Sequence, residues 1–236
     1  MKKIITIILS LIVFTFLGCG TESKKEITEN GPIEVRYKVT FTSNWSAENF
    51  KTDFPSNAHF SKLAGVAHND EINFWKEGAK SSSGVKSIAE TGSRDLFIEE
   101  VEAAIKDEKA QNILLGGGMA NTPGNVSFEF GVSKKYPLIT LISMLAPSPD
   151  WFLGVHDLNL LGDDGEFVQE LSKDLIVYDA GTDSGVKFKS ENQETKDGVI
   201  AKLTCHTNDC DFANGVNADL DSSVKFLGSF KFERIE

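Results

Sequence analysis

Pro137-Leu138-Ile139-Thr140-Leu141-Ile142-Ser143-Met144-Leu145-Ala146-Pro147-Ser148-Pro149-Asp150-Trp151-Phe152-Leu153-Gly154-Val155 sets the architecture of this chain. Residues 138–145 form a nearly unbroken apolar run, as expected of a central strand covered on both faces. Pro147-Ser148-Pro149 ends that run, because proline has no backbone N–H to give to a sheet. Trp151, Leu153 and Val155 then restore the period of two. A strand, a sharp break and a second strand are therefore expected here.

The same period recurs on both sides. Ile33, Val35, Tyr37, Val39 and Phe41 alternate near the start of the body, as do Val126, Phe128, Phe130 and Val132, and Val224 with Phe226 close to the end. These read as half-buried strands. One helix stands out, from about Arg94 to Lys109, with Phe97, Val101, Ala104 and Ile105 on one face opposite Glu99, Glu102 and Lys106. Seventeen phenylalanines and glycine-rich breaks such as Gly116-Gly117-Gly118 predict a mainly β fold, an antiparallel sandwich with one or more short helices. Asp163-Asp164-Gly165-Glu166 reads as an exposed hairpin turn. There is no internal repeat.

The N-terminus predicts export. Lys2 and Lys3 precede an apolar run from Ile4 to Leu17, which is shorter than the roughly 20 residues that span a bilayer. Gly18 before Cys19 suits a bacterial lipoprotein signal, residues 1–18, after which Cys19 is the lipidated residue. A plain cleaved signal or an uncleaved anchor is the alternative. Residues 19–32 are polar and read as a flexible tether, so the folded body is expected over residues 33–236. Losing Lys2 and Lys3 takes the net charge from −11 to −13, which disfavours nucleic-acid partners. In an oxidising compartment Cys205 and Cys210 are expected to close a small disulfide loop; a zinc site with His206 lacks the other half of a ligand set.

Three aspartates occupy loop-like settings: Asp150 after the prolines, and Asp179 and Asp183 in Asp179-Ala180-Gly181-Thr182-Asp183-Ser184-Gly185. Three carboxylates with backbone carbonyls can build the six- to eight-oxygen shell of Ca²⁺. On spacing alone the turn-capping role that aspartate often takes is the stronger reading. The pattern is not an EF-hand loop. No catalytic set is recognisable either: Gly-x-Ser-x-Gly, His-Glu-x-x-His and a P-loop are all missing, and His59 and His68 read as packing histidines near Trp75. A hydrolase with paired carboxylates is the alternative for an enzyme; a purely structural envelope protein is the other. The three tryptophans read as core, with Trp151 packed beneath the Asp150 loop.

An ordered series of motifs resembles the spondin N-terminal domain. It runs through Trp45-Ser46, Asp53-Phe54-Pro55, His59-Phe60-Ser61, Leu63-x-Gly65-x-x-His68, Trp75, Gly78, Glu90-x-Gly92, Pro147-Ser148-Pro149-Asp150-Trp151-Phe152-x-Gly154-Val155 and Asp179-Ala180-Gly181-Thr182-Asp183-Ser184-Gly185. The resemblance implies an eight-stranded antiparallel sandwich similar to calcium-dependent membrane-targeting domains. It also implies one calcium held by Asp150, Asp179 and Asp183, and a role in adhesion or ligand binding, with a protein or glycan partner at the cell envelope. Leu161 stands where animal members carry a cysteine, so their disulfide is absent and Cys205–Cys210 would be a local substitute.

Overall fold

The computed structural model describes residues 31–51, 53–203 and 226–235. Two antiparallel sheets face each other. The smaller has four strands in the order β5 (Gly124–Val132), β1 (Val35–Ser43), β11 (Gly228–Arg234), β8 (Glu170–Leu175). The larger has seven: β10 (Ala201–Lys202), β9 (Val177–Asp179), β7 (Trp151–Asn159), β6 (Leu138–Ala146), β3 (Ala64–His68) and β4 (Ala110–Leu115) in order, with β2 (His59–Phe60) also on β6. The described residues hold eleven strands where about eight were expected; the very short β2, β9 and β10, all in the larger sheet, account for the excess.

The apolar run of β6 is explained by its two coverings. Ile139, Leu141 and Leu145 face the small sheet and join Tyr37, Phe41, Phe130, Phe230 and Phe232 in the main core. Ile142 joins a second core beneath two helices, α1 (Ser83–Thr91) and α2 (Asp95–Lys106), with Val85, Ile88, Phe97, Val101 and Phe152. The molecule is thus layered as small sheet, large sheet and helix pair. Close strand contact is needed where β7 lies on β6: a Cβ on Gly154 would sit 2.1 Å from the Leu141 carbonyl oxygen.

The expected helix at 94–109 is α2, three residues shorter at its end. Lys109 N–H folds back onto the Ala104 carbonyl at 2.9 Å, Glu108 adopts φ 56°, and β4 begins at Ala110. Twelve residues make a marginal helix in water. Burial of Phe97 and Val101, about 1.5–3 kcal/mol for each large apolar side chain, is what holds α2 on the sheet.

Helix α1 was not evident in the sequence, since only Val85, Ile88 and Ala89 mark its buried face over two turns. Its ends are well specified. Ser82 Oγ accepts from Val85 N–H at 3.1 Å, Gly92 caps the other end at φ 71°, and the Glu100 carboxylate reaches across from α2 to accept from Gly84 N–H at 2.7 Å.

The last strand differs from expectation. It starts at Gly228 rather than around Val224–Phe226; Phe226 precedes it and is part-exposed, while Phe230 and Phe232 supply the buried face. Val224 lies outside the described residues, as do the signal and most of the tether, including Cys19, and the expected disulfide pair Cys205 and Cys210. Asp163 to Glu166 forms the expected turn, closed by Gly162 N–H to the Glu166 carbonyl at 2.8 Å. All three tryptophans are buried, as a core role requires and a glycan-stacking platform does not. No helix of the described residues is long and apolar enough to cross a membrane.

Candidate functional site

Asp150, Asp179 and Asp183 meet at one end of the large sheet. The break after β6 delivers Asp150 immediately before β7, whose first residue, Trp151, pairs with Asp179 at the end of β9. The chain then turns through Ala180 and Gly181 to bring Asp183 back. Gly181 is required there: its φ is +71°, and a Cβ would lie 2.5 Å from Val199 N.

Each carboxylate organises backbone. Asp150 is fully buried, and its Oδ2 accepts from Thr182 N–H at 2.7 Å, Asp183 N–H at 3.0 Å and the Thr182 hydroxyl at 3.2 Å. Asp179 Oδ1 accepts from Gly181 N–H at 2.7 Å. Asp183 is almost as buried as Asp150 and closes the next loop at both oxygens, accepting from Gly185 N–H at 2.7 Å and Gln193 N–H at 3.0 Å. The turn-forming role considered for these aspartates is therefore real. Thr182 and the Gln193 amide were not singled out from the sequence; the only signal for Thr182 is its place between Gly181 and Asp183.

The hydrogen bonds do not settle all the charge. Asp150 Oδ1 is buried and has no hydrogen-bond partner. Burial raises the Asp150 pKa, with the amides of Thr182 and Asp183 pulling against it. Asp179 is pushed up to about 6, first by burial, then by the charges of Asp150 and Asp183, despite the Gly181 N–H. No ion pair reaches any of the three among the described residues.

As a test of metal fit, the donor chemistry suits a hard cation, and Asp150 Oδ1 is an oxygen left over for one. The spacing is less complete. Among the described residues no group of three or more His, Cys, Asp or Glu side chains is gathered closely enough to hold a metal ion. The three carboxylates feel one another's charge while turned onto separate amides.

The loop containing Asp183 is fastened to the rest of the molecule. Thr195 N–H donates to the Thr182 carbonyl at 2.9 Å, the Thr195 hydroxyl to the Gly181 carbonyl at 2.8 Å, and Lys86 on α1 pairs with Glu194 at 2.6 Å. Trp151 packs beneath it, edge-on to Phe188 at 5.4 Å, and Phe188 in turn meets Trp45 at 5.7 Å. Both motif segments thus rest on the aromatic floor of the sandwich.

Comparison with known proteins gives the chain a family. The Spondin_N family model matches residues 35–214. The chain belongs to the spondin N-terminal domain family. Spondin-2 of Rattus norvegicus is 34% identical over 182 residues, covering 72% of this chain and 54% of its own length. Spondin-2 of Homo sapiens is 33% identical over 164 residues, with 68% and 49% covered. Spondin-1 of Gallus gallus is 37% identical over 166 residues, covering 68% of this chain but 21% of that protein. This spondin-family chain therefore spans about half the length of the spondin-2 proteins it matches, and a much smaller part of spondin-1. The residues matched by the family model include ten of the eleven described strands, β11 lying beyond them, together with both described helices and all three aspartates.

Proposed function

We propose that this spondin-family domain is an exported, lipid-anchored binding module in which calcium organises the loops carrying Asp150, Asp179 and Asp183. The observation that carries this reading is Asp150, a fully buried carboxylate with one oxygen unpartnered and two further acids in its field. Holding such a group ionised without a counter-charge is costly. A divalent cation supplies that charge, and calcium accepts an all-oxygen shell of irregular shape. The ion would be held by Asp150, Asp179 and Asp183 together with backbone carbonyls, bracing the loops that present the binding surface.

The work assigned to the domain is recognition rather than turnover. Its partner is an envelope or extracellular protein or glycan, engaged with the loops in their calcium-set shape, and Cys19 carries the lipid that keeps the domain at the bacterial cell envelope. Calcium outside the cytosol is plentiful enough for a site with Kd on the order of 10⁻⁴ to 10⁻³ M to fill.

Calorimetric titration of calcium into the chelator-treated protein, paired with thermal unfolding with and without the ion, tests the reading. One saturable site with a raised melting temperature, both lost in Asp179→Ala, is expected. Absence of heat and of any shift in the parent protein overturns the metal-organised module and leaves the aspartates as turn formers. A partner that binds in calcium and is lost with chelator, while the fold persists, assigns the ion to recognition.

A further inference from the structure

The opposite end of β7 holds a second buried polar group that the calcium reading does not use. His68, at the end of β3, has no exposed side-chain surface. Its Nδ1 lies 2.8 Å from the Asn69 carbonyl oxygen, which only accepts, so Nδ1 carries the proton. The unprotonated Nε2 then accepts from the Thr140 hydroxyl on β6 at 2.9 Å. Thr140 Oγ1 is itself occupied, accepting from Asp157 N–H at 3.3 Å.

Beyond Thr140 stands the Asp157 carboxylate. Its Oδ1 lies 3.6 Å from His68 Nε2, is hidden from solvent and has no hydrogen-bond partner. Its Oδ2 accepts from Asn73 Nδ2 and lies 3.2 Å from His156 Nδ1. Asp157 sits at φ 49°, and the strands around it lose register between Ala67 and His68 on β3 and between Ile139 and Leu141 on β6. Those irregularities aim the imidazole, the hydroxyl and the carboxylate at one another.

Few other charges face His68. Strands β4 and β6, on either side of β3, bring no titratable side chain, and Phe74 packs on the imidazole and hands the contact on to Phe97 of α2. From β7 come Asp157 and His156; Asp70 and Glu71, next along the chain, are exposed.

We propose that His68, Thr140 and Asp157 form a proton-operated latch on residues 69–79. Taking up a proton at Nε2 turns that atom from acceptor to donor, so the Thr140 hydroxyl must turn its proton away and supplies at best a neutral acceptor to a cation. A buried imidazolium needs an anion, and the unpartnered Asp157 Oδ1 is the nearest carboxylate oxygen. Drawing it in rotates Oδ2 away from Asn73 and His156. Asn73 loses its acceptor, and the ring of His156 shifts against Trp75, whose centroid is 4.6 Å away. The segment then loses its side-chain polar tie at Asn73 and keeps the apolar seats of Phe74 and Trp75, the Asn69 N–H on the Lys109 carbonyl, and its far end, where Gly78 N–H donates to the Ile200 carbonyl and Ile200 N–H to the Ala79 carbonyl, each at 2.8 Å. Burial keeps His68 below its ordinary pKa, against the opposing pulls of the Asn69 carbonyl and Asp157, so the latch stays closed at neutral pH.

Amide hydrogen exchange of the full chain at about pH 7.5 and about pH 5, corrected for the chemical pH dependence of exchange, reads the latch directly. Residues 70–79 are expected to exchange severalfold faster at the lower pH, while α2 and β6 do not. His68→Gln abolishes this local acid response. Should that variant fail to fold, Asp157→Asn keeps the shape but removes the anion, and it too is expected to lose the response. An unchanged rate at 70–79 in the parent protein overturns the proposal. So does an acid response that survives in whichever of the two variants folds.

Discussion

The two ends of β7 each bury a carboxylate oxygen with no hydrogen-bond partner, Asp150 Oδ1 before the strand and Asp157 Oδ1 near its close. Their surroundings differ. Asp150 shares its end with two more acids, and no cationic side chain pairs with any of them among the described residues. Asp157 lies between two histidines, one of them buried and 3.6 Å away. A carboxylate with only like charges near it gains from a counter-ion brought from outside; one beside an imidazole has an internal counter-ion that a single proton turns on. On the two proposals above, the same strand carries an ion-dependent end and a proton-dependent end, and each prediction below tests one end against its counterpart.

The largest effect is expected from Asp150→Ala. It removes the acceptor for two backbone N–H groups and a hydroxyl in a site without solvent. Stranded buried donors cost about 1–3 kcal/mol each, so urea unfolding in chelator is expected to show a loss of about 3 kcal/mol or more. Asp150→Asn keeps an acceptor and removes the charge. It is expected to cost far less in chelator and to abolish the calcium-induced rise in melting temperature. Equal losses for the two variants would mean that the buried charge does not matter, and the contrast between the ends would fall.

Next comes pH, where the two ends have opposite signs. Asp179 has a folded pKa raised from 3.8 to about 6, so folding takes up protons there. Its contribution is full below about pH 3.8 and is lost as pH rises through about 6. At about 1.4 kcal/mol per unit this amounts to at most about 3 kcal/mol. His68 is depressed from 6.5, so its contribution is full above that value and is lost as pH falls toward its folded pKa. Unfolding free energy measured across pH 4–8 in chelator is expected to lose the Asp179 slope in Asp179→Asn and the His68 slope in His68→Gln. Calcium is expected to flatten only the Asp179 slope. A calcium effect on the His68 slope would show that the ends are coupled through β7.

Legibility from sequence follows the same division. Strands β1, β5, β6 and β7 were readable because their side chains alternate or run apolar according to which faces are covered. The three aspartates were readable as a set only through the spondin motifs, since spacing alone gave turn formers. The local bonds of Asp179 to Gly181 N–H and Asp183 to Gly185 N–H are what that turn reading expects, whereas those of Asp150 to the amides of Thr182 and Asp183, and of Asp183 to that of Gln193, could not be read, because they depend on the path of the chain through residues 150–193. His68 read as a packing histidine, whereas Asp157 gave no signal: it reaches His68 across two register shifts that no local pattern announces. Helix α1 was too short to show its period, and the start of β11 was misplaced because Phe226 continues the alternation just outside the strand.

Thr140→Val is the intermediate case. It is nearly the same shape but leaves His68 Nε2 without its donor and Asp157 N–H without its acceptor. A loss of about 1–3 kcal/mol is expected, smaller than for Asp150→Ala because these two bonds include one long one. Calcium affinity should not change. A change in calcium titration here would again join the two ends.

The smallest effect is expected from Lys86→Ala, which cuts the tie from α1 to the Asp183 loop. Lys86 Nζ lies 2.6 Å from Glu194 and 3.7 Å from Glu90, an arrangement that looks strong on distance alone. Glu194 is nonetheless well exposed, and exposed ion pairs lose most of their attraction to water and side-chain entropy. The loop has other fastenings that do not depend on Lys86: Gln193 N–H on Asp183 and Thr195 on the carbonyls of Gly181 and Thr182. Lys86→Ala is therefore expected to leave the melting temperature unchanged within error, in calcium and in chelator alike. A marked drop in chelator alone would show that Lys86 is a cation the acidic end leans on when the ion is gone, and would narrow the contrast with the histidine end.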